Sequence, residues 1–310
     1  MSGLSVLTRE RTPDRPGPGP LPEAALRALD LAIRRRVAGL MSGEFRSLDL
    51  GAGTEIAQLR PYVPGDDVRL IDWSATARTT VPHVRVHVAE RPLTTLLVLD
   101  TSASMQFGTA DRRKTDVAEG VALALGHVAS RRGNRLGLVT YGGPEPVVRP
   151  PRAGRAGLLA TLLALRIQPD GQRDGATELG ATLERLARVT RQRVLVVLVG
   201  DLRGPRDWAA SLTQVAARHD VLAVEIRDPR EDDLVDAGEL VLRDVETGRE
   251  VRVDTRDRRL RERYAQAATD ERTDVAADLV AAGADHVVLS TRGDWLHPLL
   301  GALQRRRRMR

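Results

Sequence analysis

The chain has 310 residues, 42% apolar and 29% charged, which is the balance of a globular protein long enough for one large domain or two ordinary ones. The absence of Cys excludes disulfides, thiolate metal sites and Cys nucleophiles. The net charge is +6, every cation but Lys114 is Arg, and aromatics at 3% leave the core to Leu, Val and Ala.

In chain order, residues 1–20 close on Arg15-Pro16-Gly17-Pro18-Gly19-Pro20. Alternating Pro and Gly builds neither helix nor core, so this segment is expected to be a flexible leader. Leu4 to Leu7 is too short for the apolar region of a signal peptide, and no run reaches the roughly 18 apolar residues of a membrane span. The expectation is a soluble, cytoplasmic protein. Pro22 opens a helix to about Leu40, with apolar positions at Ala25, Leu29, Ala32, Ile33 and Val37.

Residues 43–92 change character. Gly51, Gly53, Pro61, Pro64, Gly65, Pro82 and Pro92 punctuate short extended pieces, and Val84 to Val88 alternates as a half-exposed strand should. His83 and His87 in that run read as surface or packing residues. Asp66, Asp67, Arg69, Asp72 and Arg78 crowd around Trp73. Such a cluster is either a salt-bridged structural element or a docking surface, and the residues leave both open. We take 21–92 as an N-terminal helix with a small β subdomain.

From Leu93 strands and helices alternate, which predicts a doubly wound, mainly parallel sheet covered on both faces over 93–300. Strands are expected at 94–100, 135–141, 193–200, 221–227 and 286–290. Helices are expected at 115–131, 155–167, 178–190, 206–218, 257–282 and 294–306. Residues 239–254 read as an inserted β-hairpin turning at Thr247-Gly248. The tail 301–310 ends in Arg305 to Arg308, Met309 and Arg310; we read it as a solvated terminus and expect no nucleic-acid partner.

The chemistry concentrates where the first of these strands ends. Leu96 to Leu99 runs into Asp100-Thr101-Ser102-Ala103-Ser104, an Asp-x-Ser-x-Ser sequence at a strand's carboxyl end, where open α/β sheets place their sites. Oxygen-only side chains at this spacing suit a hard cation, although Ser102 or Ser104 could simply cap the next helix. Thr177, in a loop softened by Gly171 and Gly175, and Asp201, ending the strand Val194 to Gly200, bring a third hydroxyl and a second carboxylate toward the same rim.

Other motifs fail. The segment Gly108 to Thr115 has Arg113 where a Walker A loop needs Gly before its Lys. Gly51-Ala52-Gly53 lacks the third Gly of a dinucleotide fingerprint, and no Gly-x-Ser-x-Gly elbow surrounds Ser102 or Ser104. A dehalogenase-type phosphatase would carry Asp at position 102. Glu231-Asp232-Asp233 reads as a solvated acidic loop rather than a Ca²⁺ site.

The set Asp100, Ser102, Ser104, Thr177, Asp201 resembles the metal-ion-dependent adhesion site of von Willebrand factor A domains in residue type and order. The resemblance implies Mg²⁺, or another divalent cation such as Mn²⁺ or Ca²⁺, held by the two Ser directly, by Thr177 directly or through water, and by the Asp residues largely through water. It implies a sixth position open to a partner's carboxylate. Glu55 to Arg69, continuing through Ile71-Asp72-Trp73 and Thr76-Ala77-Arg78, is similar to the signature of the domain of unknown function 58 family, which precedes an A-type domain there as here.

That family resemblance implies pairing with a MoxR-type AAA+ ATPase, and an adaptor or chaperone-like role toward the motor's client. With no nucleophile or base evident beside the ion, binding is expected rather than catalysis. The alternatives are a metal-dependent hydrolase using the same ion, and a nucleic-acid-associated factor using the Arg tail.

Overall fold

The computed structural model describes residues 4–6, 14–41, 50–88, 93–129, 133–143, 146–154, 179–190, 192–244 and 250–305. The helix expected at 155–167, the loop carrying Thr177, the hairpin turn at 247–248 and the tail beyond Arg305 lie outside them. The chain forms two compact units, one of residues 1–37 with 93–310, the other of 38–92.

The larger unit is built on a six-stranded sheet. Its strands, named by position in the chain, are β4 (Thr94–Asp100), β5 (Arg135–Tyr141), β6 (Val148–Ala153), β7 (Leu195–Gly200), β8 (Asp220–Arg227) and β11 (Asp285–Ser290), in the order β11-β8-β7-β4-β5-β6. All neighbours are parallel except β5 and β6. This is the α/β, doubly wound, mainly parallel architecture expected from the alternation of elements.

Continuous apolar runs form these strands because both faces are covered. Side chains alternate along β4, and the core divides accordingly. Leu97 and Leu99 pack with Leu29 and Ile33 of α1 (Glu23–Met41), Val117 and Val121 of α3 (Lys114–Ala129), and Leu299 of α7 (Leu296–Gln304). Leu96 and Val98 pack with Leu183 of α4 (Leu179–Val189), Leu212 of α5 (Trp208–Arg218) and Leu279 of α6 (Arg258–Ala281). Each fully buried Leu or Val adds about 1.5–3 kcal/mol.

The helix α1 differs from expectation. The sequence groups it with the small β subdomain, but through Leu29 and Ile33 it packs into the larger unit's core. Arg36 completes the anchor: its guanidinium reaches Asp220 at 2.5 Å and Asp285 at 2.6 Å, the first residues of β8 and β11. The segment expected as a flexible leader also carries contacts. β1 (Leu4–Val6) adds to the hairpin of β9 (Glu239–Asp244) and β10 (Glu250–Asp254). Trp295 Nε1 donates to the Pro18 carbonyl at 2.9 Å, and Arg15 N–H donates to Asp111 O at 2.9 Å.

The edge strand β6 escaped prediction. Its Pro150 and Pro151 remove ladder donors and break alternation, which an edge position tolerates. In the smaller unit, β2 (Leu50–Pro61) pairs antiparallel with β3 (His83–Val88), and the short helix α2 (Trp73–Thr79) lies between them in sequence.

Candidate metal centre

β4 and β7 are neighbours, with Leu99 opposite Val199, so Asp100 and Asp201 leave the sheet side by side. Between them Gly200 makes close approach possible. A Cβ there would lie 2.9 Å from Asp100 Cβ and 3.0 Å from its Oδ2. Both carboxylates are buried.

The Asp100 carboxylate folds the motif back on itself, because its Oδ1 accepts the Ser102 N–H at 2.8 Å. Ser102 then occupies the N-cap position of a 3₁₀ turn, Ala103–Gln106, yet its hydroxyl makes no capping bond. It lies instead 3.0 Å from the Ser104 hydroxyl. The capping alternative therefore does not account for Ser102. An octahedral Mg²⁺ with bonds of 2.0–2.1 Å sets neighbouring ligands about 2.9 Å apart, so the two oxygens have the spacing of adjacent ligands.

The backbone around the motif is shaped to it. Thr101 Oγ1 donates to the Tyr141 carbonyl at 2.9 Å, tying the loop to β5. Gly142 follows at φ +75°, where a Cβ would stand 2.8 Å from Asp100 Oδ1 and 2.9 Å from Ser102 Cβ. Leu202, directly after Asp201, is a buried non-Gly residue at φ 53°, a strained left-handed backbone position at the edge of the site.

Behind the motif stands the chain's only lysine. Lys114 Nζ lies 2.7 Å from Asp201 Oδ2 and 2.7 Å from Glu231 Oε1, with the lysine side chain fully buried. Arg203 extends the network, 3.2 Å from Glu231, and its N–H reaches Asp201 Oδ1 at 3.2 Å. Burial alone would lower the Lys114 pKa, but Asp201 and Glu231 outweigh it and raise it. Burial likewise opposes the Asp201 charge, while Lys114, with hydrogen bonds from Ser104 and the Arg203 N–H, holds its pKa below the usual range. The Tyr141 phenol, buried beside both carboxylates, is pushed well up and stays protonated.

Among the predicted residues, Asp100, Ser102, Ser104 and Asp201 come together and Thr177 lies outside the described residues. The donor set, two hydroxyls and two carboxylates, is oxygen throughout, which fits a hard divalent cation. Among the described residues no three His, Cys, Asp or Glu side chains gather into a group that could hold a metal ion, so any ion here rests on the Ser hydroxyls as well.

Lys114 and Glu231 are the residues missed. In the sequence Lys114 is only the end of a failed Walker A loop, and Glu231 reads as part of a solvated acidic run. The structure corrects the latter: Glu231 is buried, and its carboxylate accepts the Asp228 N–H at 3.0 Å while pairing with Lys114. A lone Lys in an otherwise all-Arg chain was the available signal. Lys becomes a compact point charge at its tip, which suits a buried two-carboxylate pocket.

In the smaller unit, the cluster around Trp73 resolves into local structure. Asp66 pairs with Arg60 at 2.6 Å, and Asp67 caps the turn Val68–Leu70 and pairs with Arg69. Asp72 caps α2 and pairs with Arg85 at 3.0 Å. Trp73 and Arg78 are exposed.

Taken together, these features define a doubly wound α/β protein with an oxygen-lined, internally charge-compensated site at the carboxyl edge of its central strands. Comparison with known proteins gives the family. Residues 58–274 match "Protein of unknown function DUF58", and the chain belongs to that family.

It is 40% identical over 285 residues to uncharacterized protein Mb1516 of Mycobacterium bovis and to uncharacterized protein Rv1480 of Mycobacterium tuberculosis, covering 92% of this chain and 90% of each relative. Similar solved structures include BatB from Bacteroides thetaiotaomicron (14% identity, 68% of this chain and 97% of that one, TM-score 0.45). They also include the SpRpn10 VWA domain (13% identity, 68% and 94%, TM-score 0.34).

Proposed function

We propose that this protein is a divalent-cation-dependent adaptor for protein–protein contact, with Ser102, Ser104 and Asp100 holding the ion and Asp201 backing it. The observation that carries this reading is the pair of Ser hydroxyls 3.0 Å apart, released from capping, beside two buried carboxylates on adjacent strand ends. Bound mainly by neutral oxygens, the ion would stay electrophilic and would attract an anionic ligand. A side-chain carboxylate of a partner protein meets that requirement. The role is binding without turnover of its own.

The partner we propose is a MoxR-type AAA+ ATPase or that motor's client, following from the family resemblance. No helix among the described residues is long and apolar enough to cross a membrane.

The test is affinity capture of a purified MoxR-type ATPase by the wild-type protein and by Asp100→Ala/Ser102→Ala, each in Mg²⁺ or in EDTA. Retention by the wild type in Mg²⁺ alone is expected. Equal retention in all four samples would rule out the ion as the binding element and point to the exposed surface around Trp73.

A further inference from the structure

We propose that Lys114 is a built-in counter-ion of Asp201 that keeps the centre's affinity for a divalent cation low until a carboxylate from outside joins it. The inference depends on the metal centre proposed above, and it assigns Lys114 and Glu231 a part in that centre.

The ammonium is fixed from several directions. The Lys114 backbone N–H donates to Phe107 O at 2.9 Å, which anchors the stem, and Nζ stands 6.0 Å from the centre of the Phe107 ring. The two carboxylates grip it at 2.7 Å each. Glu231 is itself locked, since it completes a capping box with Asp228. With its side chain wholly buried, Lys114 has no solvent to swing into.

A cation settling on Ser102 and Ser104 therefore meets an Asp201 whose charge is already spoken for. It also faces a positive charge that cannot withdraw. Low dielectric around buried groups makes that repulsion larger than it would be in water. An incoming carboxylate supplies the negative charge that Lys114 has taken up. Ion and carboxylate then favour each other's binding, and by linkage the favour is mutual. The centre would thus discriminate: metal alone binds weakly, a neutral partner gains little, and an acidic side chain together with the ion binds well.

The experiment is Mn²⁺ titration followed by the electron paramagnetic resonance of the free ion, with and without acetate as the carboxylate probe. Wild type is compared with Lys114→Met/Glu231→Gln, which removes the ammonium with one of its carboxylates, and with Asp201→Asn added to that double variant. Circular dichroism verifies the fold. Without acetate, the double variant should bind Mn²⁺ at least about tenfold more tightly than wild type, and acetate should help it less. Asp201→Asn should erase the gain in the double variant, because the carboxylate released from Lys114 is what produces it.

Equal Mn²⁺ affinity in wild type and a folded double variant would overturn the role of Lys114 and leave the metal centre standing. So would acetate that leaves the wild type's Mn²⁺ affinity unchanged, a result that does not need the double variant to fold. Absence of Mn²⁺ binding from every protein would instead overturn the metal centre itself, and this inference with it.

Discussion

Lys114 and Asp201 meet at 2.7 Å with both side chains shut away from solvent, and this ion pair joins the first turn of α3 to the end of β7. Removing only the cation leaves Asp201 and Glu231 buried without their partner. Lys114→Met should therefore cost about 3–5 kcal/mol of folding stability. Urea denaturation checks it. A loss under about 1 kcal/mol would mean that the two carboxylates find other compensation.

Gly142 lets β5 pass against the motif. At φ +75° a side chain is strained, and its Cβ would press on Asp100 Oδ1 and Ser102. Gly142→Ala should displace the Asp100–Ser102 turn and weaken Mn²⁺ binding by about tenfold or more, with a stability loss of about 1–3 kcal/mol. Unchanged Mn²⁺ affinity in a titration would show that the loop yields without moving the hydroxyls.

Asp228 ends β8 as a wholly buried carboxylate. It accepts Thr109 N–H at 2.8 Å, Thr109 Oγ1 at 2.6 Å, Thr291 Oγ1 at 2.7 Å and Arg230 N–H at 2.9 Å. Burial opposes its charge, but these donors outweigh it and lower its pKa. Asp228→Ala orphans several donors at once and should cost about 3 kcal/mol or more. It should also loosen Glu231, whose capping box it removes. Chemical denaturation and hydrogen exchange at Thr109 and Arg230 measure both effects.

His219 is buried at the end of α5, and among the described residues neither ring nitrogen meets a partner. Burial, then the nearby Arg218 and Arg193, lower its pKa below the ordinary 6.5. The unfolded chain thus binds the proton more readily. The sign follows: His219 contributes stability in full above about pH 6.5, and that contribution is lost as pH falls below it. The drop in urea-measured stability between pH 7.5 and 5.5 should shrink in His219→Gln. An identical drop in both proteins would exclude His219 as its source.

The sheet was legible because parallel strands buried on both faces must be apolar throughout, as Leu96 to Leu99 and Leu195 to Val199 are. The hydroxyl pair was legible because its residues are two apart in sequence. What escaped was contact between distant residues. Glu231 looks solvated in its acidic run, and only the folding of Pro229–Glu231 against α3 carries it to Lys114, 117 positions away. Likewise, nothing local to Arg36 announces Asp220 and Asp285. The pairing of β6 escaped because an edge strand needs neither a hydrophobic alternation nor every donor.

The most direct measurement is Mn²⁺ binding by wild type and by Asp100→Ala/Ser102→Ala, followed by electron paramagnetic resonance in the presence of acetate. A cation centre at this edge requires that wild type bind one Mn²⁺ saturably, that Mg²⁺ displace it, and that the variant lose about thirtyfold or more in affinity while keeping its circular dichroism. Equal Mn²⁺ binding by both proteins, or none by wild type, would contradict it.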